Sequence, residues 1–275
     1  MESIIEKNRE WLNDIEYFIR PNSHVIGIKI IKKGEIIPDI KRIEYPLTIC
    51  QFTTLCRTAK RTEEPFIVKK DDICCSFAHT VMGFDKSEDI ISGERDVGIH
   101  FETYDGFKKA YDDLPKLEEN NIECIIGGPL YSFNYKPDII LFSITPGQTN
   151  RFTDGYVWSQ GGYLEIKFSG MCGICSNTII KAYNEKSAIL GFPCFGGRRA
   201  GIYQDNELAA AIHVDFLDTW LEGLEKTEAT GHTFPNTFDL NKNTEGLPHY
   251  KIINWPDEIV PAMSTAVVNK EEKEE

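Results

Sequence analysis

The chain has 275 residues, 41% of them hydrophobic, which is enough to bury a sizeable core in one large unit or two small ones. Thirty basic residues against 43 acidic ones give a formal charge of -13, which leaves no positive footprint for nucleic acid or for an anionic membrane surface. No apolar run reaches the roughly 18–20 residues that span a bilayer, and the opening "MESIIEKNREWLNDIEYF" has no signal-peptide core, so a soluble cytoplasmic protein is expected.

Residues 1–21 carry Ile4, Ile5, Trp11, Leu12, Ile15, Phe18 and Ile19 at helical spacing, and Pro21 ends the pattern. "HVIGIKIIKKGE" and "PFIVKK" read as strands. "DDICCSFAHTVMG" predicts a short helix with Cys74 and Cys75 in its first turn and Gly83 as its stop. "YDGFKKAYDDLPKLEE" predicts a helix that Pro115 interrupts or ends, and "IECIIGG" and "PDIILFSITP" read as strands of a buried sheet. A helix is expected from Pro146 through Trp158. "YLEIKFSG" alternates as a strand and runs into "MCGICSNTIIKAYNEK", where Ser176 is placed to cap a short helix. "AILGFPCFGGRRAGIY" reads as a strand and then a Gly-rich turn, and "LAAAIHVDFLDTWLEGLEK" as a strand and then a helix. From Thr230 the composition turns irregular, and the charge run "NKEEKEE" reads as a solvated tail.

Eight cysteines, at 50, 56, 74, 75, 124, 172, 175 and 194, are many for a cytosolic chain, in which disulfide scaffolds are rare. Metal, cluster and redox roles gain weight, beside the plain alternative that a thiol packs as a small hydrophobe. Cys56 and Cys75 stand 19 positions apart, and so do Cys175 and Cys194. Each interval encloses a strand-like run, "PFIVKK" or "SAILGF". Each second cysteine is followed by a glycine, Gly83 or Gly201, and then by an Ile-His pair at His100 or His213. The expected fold class is mixed α/β, with two diverged, pseudo-symmetric halves packed as one globular unit. The N-terminal helix would occupy 1–21, the first half 22–121, the second half 122–229, and a C-terminal extension 230–275. A pseudo-twofold arrangement would bring Cys56, Cys75, Cys175 and Cys194 toward one place. Cys172, the other half of "CGIC", has no counterpart in the first half.

With these residues assembled, the chain resembles the uncharacterised family DUF169 over most of residues 24–228. The resemblance is carried by "TLCRTAK" around Cys56, "DDICCSFAHTVMG" with Cys75, "GGPLYSFNYKPDIILFSITPGQTNRF", and "FPCFGGRR" followed by "DNEL". By position the family's cysteine pattern falls on Cys56, Cys75, Cys175 and Cys194, and the chain departs from it in carrying Cys74 and Cys172 beside them. The resemblance implies a fold and a shared site, and no reaction.

Four thiolates with no obligatory histidine suit an iron–sulfur cluster, of the 4Fe–4S type, or a tetrahedral zinc, with Cys74 and Cys172 as alternate ligands. Only "CGIC" has the close spacing of a zinc knuckle, which favours the cluster. Arg57, Arg151, Arg198 and Arg199 lie beside these motifs, and the turn at Gly196 and Gly197 offers backbone N–H groups, so a pocket for a small anion is expected nearby. Asp205 and Glu207 are candidates to orient Arg198 or Arg199. The expected partners are a small anionic substrate or a redox protein, with electron transfer or cluster-assisted chemistry as the activity; oligomeric state is not indicated. Two alternatives stay open: a thiol–disulfide or thiol-nucleophile enzyme using Cys172 and Cys175, and a metal-free binding protein with structural thiols. His100 and His213 read more simply as structural residues than as ligands or acid–base groups.

Overall fold

The β-branched runs form one sheet because their alternate residues find apolar cover on both sides. The computed structural model describes residues 3–40, 50–62, 64–86, 88–230 and 232. The charged tail and the expected C-terminal extension beyond 232 lie outside the described residues. The strands are β1 (Ile26–Lys32), β2 (Phe66–Val68), β3 (Ile122–Pro129), β4 (Ile139–Ile144), β5 (Ala188–Gly191) and β6 (Leu208–His213). They make a six-stranded sheet in the order β2-β3-β1-β4-β6-β5, antiparallel at every junction.

Two trios of strands meet at β1 and β4, where Ile26 faces Leu141 and Ile28 faces Ile139. Asp138 extends that seam: its carboxylate accepts from the Ile30 backbone N–H at 2.8 Å and from Lys29 Nζ at 2.9 Å. In each trio the first strand is central, the third lies beside it and the second is at the edge. The cysteine spacing divides the halves at 121/122, whereas the strand order groups β3 with β1 and β2. His100 and His213 do not occupy matching places: His100 sits in a loop bridged by Val97 and Phe101, and His213 ends β6.

One face of the sheet is covered by three long helices, α1 (Ile4–Phe18), α6 (Thr149–Gln160) and α9 (Val214–Glu228). Trp11 and Ile15 of α1, Phe152 of α6 and Leu217, Trp220 and Leu224 of α9 pack there against Ile140, Phe142 and Ile144. Ser3 starts α1 with a capping box to Glu6, and His213 caps α9 by accepting from the Asp215 N–H at 3.1 Å. The other face is covered by shorter pieces. These are α2 (Gln51–Thr62), α3 (Ser76–Val81), α4 (Glu88–Ser92), α5 (Tyr104–Asp112), a π-helical stretch at Cys175–Ile180 continuing into α7 (Lys181–Glu185), and α8 (Phe195–Arg199). They pack on Ile28, Ile125, Leu141 and Ile189.

Three local expectations change. "YLEIKFSG" has no ladder: its alternation reflects Leu164 and Ile166 packing against the three-helix layer while Tyr163 and Phe168 stay exposed. The helix in "DDICCSFAHTVMG" begins at Ser76, with Cys75 as its cap and Cys74 before it. "FGGRR" is a five-residue helix and not a turn. Among the described residues no helix is long and apolar enough to cross a membrane.

Candidate functional site

The short helices leave a cavity of about 590 Å³ on their side of the sheet, lined by Cys50, Cys75, Cys172, Cys175 and Cys194 among largely apolar neighbours such as Phe52, Ile73 and Met171. Four separate segments deliver these thiols. Cys50 precedes α2, Cys75 caps α3, Cys172 and Cys175 flank the start of the π-helical stretch, and Cys194 caps α8.

The "MCGIC" segment is shaped by two backbone features. Cys172 has φ 44°, a left-handed conformation that costs an ordinary L-residue about 1–3 kcal/mol and persists only where the surroundings enforce it. Gly173 lies so close to the 192–194 segment that an added Cβ would stand 1.9 Å from the Phe192 carbonyl oxygen. That approach sets the Gly173 N–H where, with those of Gly196 and Gly197, it favours the ionised Cys194. Ser176 does not cap a helix as its position predicts. It lies inside the π-helical stretch and donates to the Pro115 carbonyl at 2.6 Å.

The thiols form two hydrogen-bonded pairs. Cys50 donates to Cys194, and this bond, with the N–H groups of Gly197, Gly173 and Gly196, brings Cys194 down to about 6 against the opposing effect of burial. Cys172 donates to Cys75, which falls to about 7, helped by the Ala78 N–H. The two donors are pushed up, Cys50 and Cys172 each first by its partner's accepting sulfur and then by burial. Cys175 is pushed up by burial and then by its proximity to Cys194 and Cys75.

Of the four cysteines singled out by spacing, Cys75, Cys175 and Cys194 line the cavity. Cys56 is buried in the same apolar layer, does not line it, and is electrostatically close to Cys175. Cys74 is exposed, and Cys124 lies in a separate apolar cluster with Ile31, Ile67, Ile126 and Phe133. Among the described residues no group of three or more His, Cys, Asp or Glu is gathered to hold a metal ion.

The arginines divide. Arg57 forks onto both oxygens of Glu207 at 3.1 and 3.0 Å, donates to Ser143 Oγ at 2.9 Å and lies over the Tyr203 ring, so it ties α2 to β4 and the start of β6. Glu207 thus orients Arg57, and only its backbone carbonyl meets Arg198, at 3.3 Å; Asp205 stands 3.9 Å from Arg198. Arg151 is buried in the three-helix layer, bound to Thr227 Oγ1 and the Leu224 carbonyl. Arg199, Gly196 and Gly197 line the cavity. Sequence reasoning missed Cys50, Arg95 and Asp96, which line it as well. Cys50 falls outside both the 19-residue spacing and the recognised motifs, and only its being a cysteine six positions before Cys56 marks it.

A curated protein of Methanocaldococcus jannaschii, itself uncharacterised, is 23% identical over 225 residues, covering 80% of this chain and 94% of that protein. No solved structure matches. The model of DUF169, a family described as "Uncharacterised ArCR", matches residues 14–223, and the chain belongs to that family.

Proposed function

We propose that this protein holds an iron–sulfur cluster of the 4Fe–4S type on cysteines of the cavity and uses it in electron transfer or in chemistry on a small anionic molecule. The observation that carries this reading is the convergence of thiols from four separate segments on one cavity. Soft thiolates are the donors such clusters take, and backbone N–H bonds to a ligand sulfur, as at Cys194, are a known means of tuning them. A single zinc draws its sulfurs to about 2.3 Å from one point; a cluster is a larger body, and thiols spread around a cavity are its counterpart. Cys75, Cys175 and Cys194 are the proposed ligands, with Cys50 or Cys172 as the fourth. Arg95 and Arg199 on the same lining provide for an anion.

The test is iron, sulfide and zinc content with a visible spectrum, on protein purified without oxygen. Stoichiometric iron and sulfide with absorption near roughly 400 nm, lost in Cys194→Ser and Cys75→Ser but kept in Cys56→Ser, is the expected result. Protein that stays iron-free after cluster reconstitution overturns it.

The two hydrogen-bonded pairs favour a second reading, dithiol–disulfide exchange, with the partners Cys50–Cys194 and Cys75–Cys172 in place of Cys172–Cys175. In that reaction each pair gives up two electrons and two protons to a substrate disulfide and becomes a disulfide itself, while the substrate leaves as two thiols. Peptide mapping after exposure to oxidised glutathione would then recover those two linkages.

A further inference from the structure

We infer that Asp96 and His100 form a proton-transfer dyad at the cysteine cavity, acting on a small organic anion held by Arg95 and Arg199. This rests on the cavity being a ligand site and not on whether its cysteines hold iron.

All four residues line the cavity. Asp96 is only 4% exposed, and the chain around it is firmly tied: its carbonyl accepts the N–H groups of Ile99, His100 and Phe101 at 3.2, 2.9 and 3.1 Å, and its own N–H goes to the Gly93 carbonyl at 3.0 Å. One carboxylate oxygen, Oδ1, lies 3.1 Å from His100 Nδ1. A carboxylate can only accept, so Nδ1 carries the proton and Nε2 is left to exchange one. The His100 ring is about half exposed and stands edge-on to Phe195, with 6.5 Å between ring centroids. This is the arrangement of a base oriented by a buried carboxylate.

The second carboxylate oxygen, Oδ2, is closed off from the cavity, so Asp96 acts on a ligand only through the ring. Arg95, which also donates to Ser76 Oγ at 3.1 Å, and the exposed Arg199, 6.0 Å from the Phe195 ring centre, supply positive charge on the same lining. The class of ligand is therefore a small carboxylate or phosphate with an apolar body and a proton-bearing group within reach of Nε2. Nε2 takes a proton from that molecule, giving an imidazolium held against Asp96, and returns it later. No electrons move and no co-reactant is needed.

The test uses ring-nitrogen NMR of histidine-labelled protein, with 2-hydroxyhexanoate as the anion and 2-hexanol as the uncharged control. In the wild type, neutral His100 is expected as the Nδ1–H tautomer, and Asp96→Asn should move it toward the Nε2–H form. The His100 signals should shift saturably with 2-hydroxyhexanoate, not with 2-hexanol, and Arg199→Gln should weaken that response about tenfold. A wild-type tautomer in Asp96→Asn, or a wild-type ring that ignores 2-hydroxyhexanoate, overturns the proposal. Iron analysis of the same samples separates the two readings. Iron retained without an anion response leaves the cluster and removes the dyad, and an anion response in iron-free protein does the reverse.

Discussion

On one face of the sheet α6 and α9 pack so closely that a Cβ on Gly155 would meet Trp220 Nε1 at 2.6 Å, and one on Gly223 the Gly155 carbonyl at 2.8 Å. On the other face, short helices leave a cavity of about 590 Å³ lined by cysteines, a buried carboxylate and two arginines. The first face has long amphipathic helices with regular caps. The second has a π-helical stretch, a cysteine in the left-handed region and thiol pairs held at unequal protonation. Packing is closest on the first face, and the departures from regular local structure gather on the face that carries the cavity.

That contrast is broken most severely at Trp220, which is fully buried and donates to the Phe152 carbonyl at 2.9 Å. Trp220→Ala is expected to cost about 4 kcal/mol in denaturant unfolding. At permissive temperature the folded fraction should keep its fast-reacting Cys194, because the two faces are separated by the sheet. Gly173→Ala acts on the other side. Its methyl group must displace the Phe192 carbonyl, at an expected cost of about 2 kcal/mol. Unlike the tryptophan variant, it should also return Cys194 toward ordinary thiol reactivity, measured as the pH midpoint of iodoacetamide labelling.

A separate effect is on pH dependence, in reduced and metal-free protein. Cys194 ionises near 6 in the folded chain and near 9 as an ordinary cysteine, with Cys75 near 7. Between those limits the unfolded chain binds more protons than the folded one, so stability should rise from about pH 6 to 9 and fall away as the pH drops through the folded values. The labelling midpoint of Cys194 should lie near 6. A midpoint near 9 would show that Cys50 and the N–H groups of Gly173, Gly196 and Gly197 do not hold a thiolate.

The sheet and the three-helix layer were legible because they obey periodicity. The run "PDIILFSITP" and the stripe from Val214 to Leu224 need no tertiary information to be recognised. Spacing also found Cys75, Cys175 and Cys194 at the cavity, but not Cys50, because nothing local distinguishes a cavity thiol from a packed one. "YLEIKFSG" misled because alternation marks one-sided burial, whatever supplies the cover. "FGGRR" misled because two adjacent glycines read as a turn, whereas the chain forms a single short helical segment there. His100 looked structural until Asp96, itself unremarkable in "GERDVG", lay 3.1 Å from its ring.

Among the described residues the sheet ends on β2 at one side and β5 at the other, with three and four residues respectively. An approaching strand from another molecule would find only a few backbone groups to pair with before the chain turns away. The brevity of these two margins therefore protects the molecule against fibrous self-association through its sheet, although every other strand is long and rich in isoleucine or alanine.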